Sequence, residues 1–123
     1  MRVISGSCRG RKLVPIQGIR IRPTADRVKE AVFNIIGPSV RGAVVLDLFS
    51  GTGALGIEAL SRGAERAVFI DVDTRTTIEN LKRCRLEEAA TIYQADLLSL
   101  TGRDPLPAQA FDFIFIDPPY AKG

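Results

Sequence analysis

The chain has 123 residues, of which 46% are hydrophobic and 25% are charged, and its formal net charge is +3. This composition is ordinary for one globular domain. It includes no apolar run near the ~20 residues of a membrane span and no signal-peptide core, so we expect a cytoplasmic protein. The sequence has no histidine, which excludes Ser-His and Cys-His nucleophilic dyads, histidine metal ligands and histidine general bases.

The charges are unevenly distributed along the chain. Residues 1–41 carry nine basic and two acidic side chains, a net charge of +7, whereas residues 42–123 carry eight basic and twelve acidic ones, a net charge of −4. A basic N-terminal segment on a slightly acidic body favours a polyanionic partner, although a solvated basic surface explains the clustering equally well.

Cys8 and Cys84 lack metal-ligand spacing, so we expect two reduced thiols and no metal site.

Residues 1–41 predict a small hairpin followed by a helix. Two short strands flank a basic, glycine-bounded loop; they are Arg2–Ser5 and Lys12–Val14, around Gly6–Arg11. Thr24 is a natural N-cap for a helix over Ala25–Ile36, whose apolar side chains recur on one face. Gly37 and the proline after it end this helix. We interpret this segment as a basic arm that faces a polyanionic partner.

Residues 42–123 alternate strands and helices. The predicted strands are Ala43–Phe49, Ala67–Asp71, Thr91–Gln94 and Phe111–Ile116, and the predicted helices are Gly53–Arg62 and Thr74–Glu87. This alternation predicts an α/β fold, a Rossmann-like parallel sheet with right-handed crossovers. Such a sheet usually continues beyond a fourth strand. We therefore expect a truncated domain whose last strand leaves an unpaired apolar edge.

A glycine-rich loop joins the first of these strands to the helix that follows. Gly51, Gly53 and Gly56 spell G-x-G-x-x-G, and Asp71 lies 20 residues beyond Gly51, which is the spacing of a dinucleotide-binding fingerprint. Two details argue against a nicotinamide cofactor. Phe49 and Ser50 intervene before the first glycine, which usually comes directly off the strand. The strand's acid, Asp47, would also put negative charge where a pyrophosphate should bind.

An acid in this position suits a cationic cofactor, S-adenosylmethionine. The glycines let the backbone approach its amino-acid portion, and Asp47 is available to hold the ammonium group. Asp71 would accept hydrogen bonds from the ribose hydroxyls, and Asp96, after the third strand, would bind the adenine amino group. The alternatives are strand-end or capping roles for Asp71 and Asp96 and a tight turn without a ligand for the glycines.

The tetrapeptide Asp117-Pro118-Pro119-Tyr120 follows the fourth predicted strand, at the edge where ligands bind in open α/β sheets. The Asp117 carboxylate and the Pro118 carbonyl form an acceptor pair for the two N–H groups of an exocyclic amine, which favours a pyramidal nitrogen ready for methylation. Tyr120 offers a face for a base extracted from its stack. The alternative is a proline-rich strand exit with a surface tyrosine.

These motifs resemble those of class I S-adenosylmethionine-dependent amino methyltransferases. As a whole the chain resembles the bacterial RsmD family, which methylates the 2-amino group of a guanine in 16S ribosomal RNA. The blocks that carry the resemblance are Arg9–Leu13, Arg22–Asn34, Leu46–Gly63 and Phe111–Tyr120. The resemblance implies that Thr24 and Asn34 flank the cofactor. It also implies a 16S ribosomal RNA or small-subunit assembly partner. From the charge of the N-terminal segment we expect Arg9, Arg11, Lys12 and Arg20 to contact the phosphates of this partner.

Other functions stay open at this stage. The cofactor loop and the tetrapeptide also occur in adenine-specific DNA methyltransferases, and phosphate contacts do not distinguish RNA from DNA. From a different class, the chain could be an RNA-binding or cofactor-binding module without turnover. A nicotinamide enzyme is the last alternative.

Overall fold

The computed structural model describes residues 1–16, 23–97 and 109–117, and the side chains of residues 23–25 lie outside this description. The helices are α1 (Pro23–Ile36), α2 (Ala54–Ser61) and α3 (Arg75–Cys84), with short 3-10 turns at Gly37–Val40 and Glu87–Ala89. The strands are β1 (Val44–Leu48), β2 (Arg66–Asp71), β3 (Ala90–Gln94) and β4 (Phe113–Ile116). The predicted helices and the four strands predicted in residues 42–123 are confirmed, with ends displaced by at most three residues.

The four strands form one parallel sheet in the order β3-β2-β1-β4. The predicted Rossmann-like α/β fold is confirmed. β4 begins two residues later than predicted, because Asp112 interrupts the pairing. Its N–H donates to the carbonyl of Val44 (2.7 Å) and its Oδ2 accepts from the Val44 N–H (2.8 Å), so its side chain replaces the next rung of the ladder.

All three described helices contribute to a core on one face of the sheet. The aromatic rings of Phe69 and Phe115 lie on this face, and the ring centroid of Phe33 in α1 lies 5.6 Å from that of Phe115. The other face carries a smaller cluster. Among the described residues β4 pairs only with β1, and on this second face Ile114 and Ile116 are 54% and 64% exposed.

The N-terminal hairpin is reduced to a single antiparallel bridge between Arg2 and Lys12. The prediction of two paired strands was too regular. Backbone hydrogen bonds run from the Val3 N–H to Arg11 and from the Leu13 N–H to Met1, but beyond Val3 a side chain accepts from the backbone. The N–H groups of Ile4 and Ser5 donate to the Glu58 carboxylate of α2 at 2.9 and 3.0 Å. The buried side chains of this segment belong to the same core cluster as Phe115. The domain boundary near residue 41 stays a prediction.

The direction of α1 determines which of its residues lie near the carboxyl edge of the sheet. Lys29 Nζ lies 3.3 Å from Glu58, and one turn later Phe33 lies under the guanidinium of Arg62, 5.0 Å from the ring centroid. Both helices therefore run in the same direction. The end of α1 lies beside the end of α2, away from the loop where α2 begins.

Candidate active site at the carboxyl edge of the sheet

The loop between β1 and α2 has three left-handed residues at alternate positions. Phe49, Gly51 and Gly53 have φ angles of 57°, 57° and 81°. A left-handed phenylalanine is uncommon and costs conformational energy, which is typical of functional turns. The Gly53 N–H donates to the carbonyl of Ser50 (2.7 Å) and closes the turn. The predicted glycine loop thus forms a tight turn directly before α2.

Asp47 lies beneath this loop and is only 2% exposed. Its Oδ2 accepts from the N–H of Gly56 in the first turn of α2, at 3.0 Å. Burial raises the pKa of Asp47 to about 8; the Gly56 hydrogen bond opposes this increase, and the charges of Asp117 and Asp71 add to it. These interactions mean that three carboxylates converge at this edge, where their mutual repulsion favours a bound cation.

Asp71 holds the glycine loop directly. Its Oδ2 accepts from the N–H of Gly51 and its Oδ1 from the N–H of Val72, both at 2.7 Å. A carboxylate has about four acceptor sites, so these bonds leave capacity for the ribose hydroxyls that the sequence analysis assigned to it. The bond to the loop was not predicted from the sequence.

The remaining edge residues are found at the ends of β3 and β4. Asp117 is exposed and directly follows Ile116, the register partner of Leu48 in β1. Asp96 is exposed and directly follows Ala95, whose N–H donates to the carbonyl of Asp71 (2.9 Å). Pro118 and Tyr120 lie outside the described residues. The fold thus gathers Asp47, Asp71, Asp96 and Asp117 at one edge.

The structure does not bring Asn34 to this edge. Thr24 lies in the first turn of α1, whereas Asn34 is exposed in its last turn. Ten residues of helix separate them by about 15 Å, and α1 runs away from the glycine loop. The predicted cofactor contact of Asn34 therefore has no geometric support here, and that of Thr24 stays a prediction.

Three of the four predicted phosphate-binding residues lie in the described N-terminal segment. Arg9, Arg11 and Lys12 are exposed, on a loop that packs against the last turn of α2, where the Ser7 N–H donates to the carbonyl of Ser61 (2.8 Å). Arg20 lies outside the described residues. The role of these side chains in RNA binding stays a prediction.

Gly56, the third glycine of the motif, has a packing role. A β-carbon built on Gly56 would lie 2.3 Å from the ring of Phe69, so only glycine lets α2 lie this close to β2.

Thr77 and Asn80 of α3 are fully buried polar side chains that the sequence analysis missed. Polar residues on the buried face of an amphipathic helix are the signal that could have found them.

The described residues include no group of three or more metal-ligating side chains. None of the described helices is long and apolar enough to span a membrane. Cys8 and Cys84 are buried free thiols, and Cys8 Sγ donates to the carbonyl of Cys84 at 3.1 Å.

Comparisons with known proteins place this chain in a family. A family model described as Conserved hypothetical protein 95 matches residues 1–123. The Bacillus subtilis protein YlbH is 47% identical over 99% of this chain and 68% of its own length. The Ribosomal RNA small subunit methyltransferase D of Haemophilus influenzae is 40% identical over 98% of this chain and 64% of its own length.

A solved structure agrees with these relatives. The Escherichia coli protein yhhF matches 100% of this chain at a TM-score of 0.81 and 38% identity, over 66% of its own length. The chain thus spans about two thirds of the length of the proteins that it matches. It belongs to the family of that model, the RsmD-family methyltransferases.

Proposed function

We propose that this protein transfers a methyl group from S-adenosylmethionine to the exocyclic 2-amino group of a guanine in small-subunit ribosomal RNA. The observation that carries the proposal is the convergence of Asp47, Asp71 and Asp117 around the glycine loop. The negative charges of Asp71 and Asp117 would repel the pyrophosphate of a nicotinamide cofactor. They suit a ligand that carries an ammonium and a sulfonium and no phosphate.

In this proposal each acid contacts a different part of the reactants. Asp47 in its ionised form holds the ammonium group, Asp71 accepts from the ribose hydroxyls, and Asp96 binds the adenine amino group. The cofactor, when bound, supplies an electrophilic methyl group. The chain's own contribution is to fix the cofactor's polar ends while a nucleobase amine approaches Asp117.

Asp117 and Pro118 would hold that amine. The lone pair of a guanine 2-amino group is delocalised into the ring, which makes it a poor nucleophile. Hydrogen bonds from its two N–H groups to the Asp117 carboxylate and the Pro118 carbonyl favour the pyramidal form, and Tyr120 would stack on the extracted base. Positioning and electrostatics supply most of the rate, in agreement with a chain that has no histidine.

The assignment of RNA as substrate is supported by the name of the Haemophilus influenzae relative and by the basic residues of the N-terminal segment. Binding is tested by calorimetric titration with S-adenosylmethionine, S-adenosylhomocysteine and NAD. Transfer is tested with a tritiated methyl donor and four acceptors: small ribosomal subunits, naked 16S ribosomal RNA, the same RNA with inosine at guanine positions, and DNA.

We expect binding of both methyl-cycle compounds, no binding of NAD, and label only on ribosomal RNA or subunits. The inosine-substituted RNA lacks the 2-amino group and should accept no label. Tight NAD binding without a response to the methyl-cycle compounds would show that the cofactor assignment is wrong. Label on DNA alone would identify an adenine amino methyltransferase instead.

A further inference from the structure

Helix α3 fixes the glycine loop from below through two buried polar side chains. Thr77 and Asn80 are both 0% exposed and lie one turn apart on the helix face that carries Leu81 and Cys84. Burial of a hydroxyl and an amide is unfavourable unless their hydrogen bonds are made. In this structure those bonds are made to the backbone of the glycine loop and of the N-terminal segment.

The amide of Asn80 joins two parts of the chain that are distant in sequence. Its Nδ2 donates to the carbonyl of Thr52 in the glycine loop (2.9 Å) and to the carbonyl of Val14 (3.0 Å), and its Oδ1 accepts from the Val14 N–H (2.6 Å). The reversed amide orientation would put a donor against the Val14 N–H, so these partners determine the orientation.

Thr77 supplies the second attachment. Its hydroxyl donates to the carbonyl of Gly51 (2.8 Å) and lies 2.9 Å from the hydroxyl of Ser50. Because the single Thr77 proton goes to Gly51, the Ser50 hydroxyl donates to Thr77. The Thr77 methyl would lie 3.1 Å from a β-carbon at Gly53. Two successive loop carbonyls, Gly51 and Thr52, thus point to α3.

The N-terminal segment borders the same loop. The Cδ1 atom of Ile16 would lie 3.4 Å from a β-carbon at Gly51, two residues after the Val14 that Asn80 binds. The loop is therefore held by Asp71 through the Gly51 N–H, by α3 through two carbonyls, and by Ile16 through packing.

We propose that Thr77 and Asn80 are positioning residues that give the glycine loop its cofactor-binding shape. This inference rests on the proposed binding of S-adenosylmethionine at the loop. If either donor is removed, a half-buried loop carbonyl loses its partner and the left-handed turn loses a restraint. Cofactor binding must then order the loop, which weakens affinity without changing the groups that react.

The test uses two pairs of variants. Thr77→Val removes the hydroxyl and keeps the shape, and Thr77→Ser keeps the hydroxyl as its control. Asn80→Asp keeps an acceptor for the Val14 N–H and cannot donate to the Thr52 carbonyl. Cys84→Ala, on the same buried face of α3 and away from the loop, controls for loss of helix stability. The readouts are calorimetric affinity for S-adenosylmethionine, amide hydrogen exchange, and unfolding by denaturant.

We expect Thr77→Val and Asn80→Asp to weaken cofactor binding about tenfold and to increase hydrogen exchange in residues 50–56. In Asn80→Asp the Val14 amide should stay protected. Thr77→Ser and Cys84→Ala should bind the cofactor as the parent does, and kcat at saturating cofactor should not change in any variant. If Asn80→Asp does not fold, Thr77→Val with its serine control decides the question.

Unchanged affinity and exchange in Thr77→Val, with only a lower free energy of unfolding, would overturn the inference and leave α3 a purely structural role. A parent protein that does not bind S-adenosylmethionine would instead overturn the proposed function. In that case faster loop exchange in Thr77→Val would still support the positioning of the loop, whereas unchanged exchange would overturn it.

Discussion

At the scale of single residues, the environment of Asp47 has the largest effect on chemistry. An exposed aspartate ionises near its ordinary pKa of 3.8, whereas burial raises that of Asp47 to about 8. Between these two values the folded chain binds a proton that the unfolded chain has released, so this group lowers folding stability progressively as the pH rises towards 8. A bound cation reverses this effect, because it stabilises the ionised carboxylate.

We therefore predict that affinity for S-adenosylmethionine depends on pH. If the ionised form of Asp47 holds the ammonium group, affinity should rise by up to about tenfold per pH unit from pH 6 and level off near pH 8. Calorimetric titration at several pH values measures this slope. Asp47→Asn should bind weakly and with little pH dependence, whereas a pH-independent affinity in the parent protein would contradict the role of Asp47.

Asp117 should affect catalysis more than binding. Asp117→Ala removes an acceptor that is needed mainly as the amine becomes pyramidal, so transition-state stabilisation should fall by about 2.7–4 kcal/mol while RNA affinity stays nearly constant. Asp112→Asn, which removes a charge beside the opposite end of β4, should leave turnover unchanged. If Asp117→Ala methylates at the parental rate, Asp117 does not hold the amine, and the tetrapeptide only ends the strand.

Tyr120 should act through its ring. Tyr120→Ala should weaken capture of the extracted guanine by about 1–3 kcal/mol, since it removes a stacking face. Tyr120→Phe keeps that face and should be nearly silent in both RNA affinity and turnover. A large loss of activity in Tyr120→Phe would show that the hydroxyl group matters and that stacking alone is the wrong explanation.

At the scale of elements, α2 anchors the N-terminal segment. Glu58 is fully buried and binds the backbone of this segment as well as Lys29 and Arg62. At the end of the helix, the Ser61 hydroxyl donates to the carbonyl of Ser5 (2.7 Å). These contacts bring the backbone at residue 6 directly against α2, which makes one glycine indispensable there.

Gly6 and Gly10 form a matched pair for testing this docking. Both have a positive φ, 92° and 85°. A β-carbon on Gly6 would lie 1.8 Å from the carbonyl oxygen of Ser61, whereas a β-carbon on Gly10 would have no atom within 4 Å. Gly10→Ala should cost about 1–2 kcal/mol of unfolding free energy from backbone strain. Gly6→Ala should cost about 2–3 kcal/mol more, because the loop must leave Ser61 and break its hydrogen bonds.

Denaturant unfolding of both variants measures this difference. Equal losses in Gly6→Ala and Gly10→Ala would mean that the close approach to Ser61 contributes nothing beyond backbone strain. A selective loss in Gly6→Ala would identify the contact with α2 as the attachment of the N-terminal segment.

At the scale of the whole molecule, the acidic edge residues and the basic N-terminal side chains come from different segments of the chain. The acids converge at the carboxyl edge of the sheet, and the exposed Arg9, Arg11 and Lys12 lie near the end of α2. If RNA is the substrate, it would contact both groups of residues. Its phosphates would orient the substrate, and the edge residues would select the base.

Neutralising Arg9, Arg11, Lys12 and Arg20 together should weaken RNA binding across sequences. If each contacts one phosphate, the slope of log affinity against log salt should become shallower by about 3, and cofactor affinity should not change. A matched variant that neutralises the exposed Arg66, Lys82, Arg83 and Arg85 controls for net charge. An unchanged slope in the first variant would mean that these four residues do not contact phosphates and only form a solvated basic surface.

The sequence by itself determined the order of strands and helices, the glycine turn and the acids at the strand ends. These features follow from local periodicity, from turn chemistry, and from the rule that parallel strands end at the same edge of a sheet. Asp47, Asp71, Asp96 and Asp117 were therefore predictable as neighbours of one site.

Only the tertiary structure decided the contacts between distant segments. It set the pKa of Asp47 through burial, gave Asp71 a bond to the loop, directed Asn34 away from the site, and brought Thr77 and Asn80 beneath the glycine turn. Asn80 binds Val14, which is 66 positions away in the chain, and Thr52, which is 28 positions away. No local pattern records such pairs, because they depend on how helices and strands pack once they have formed.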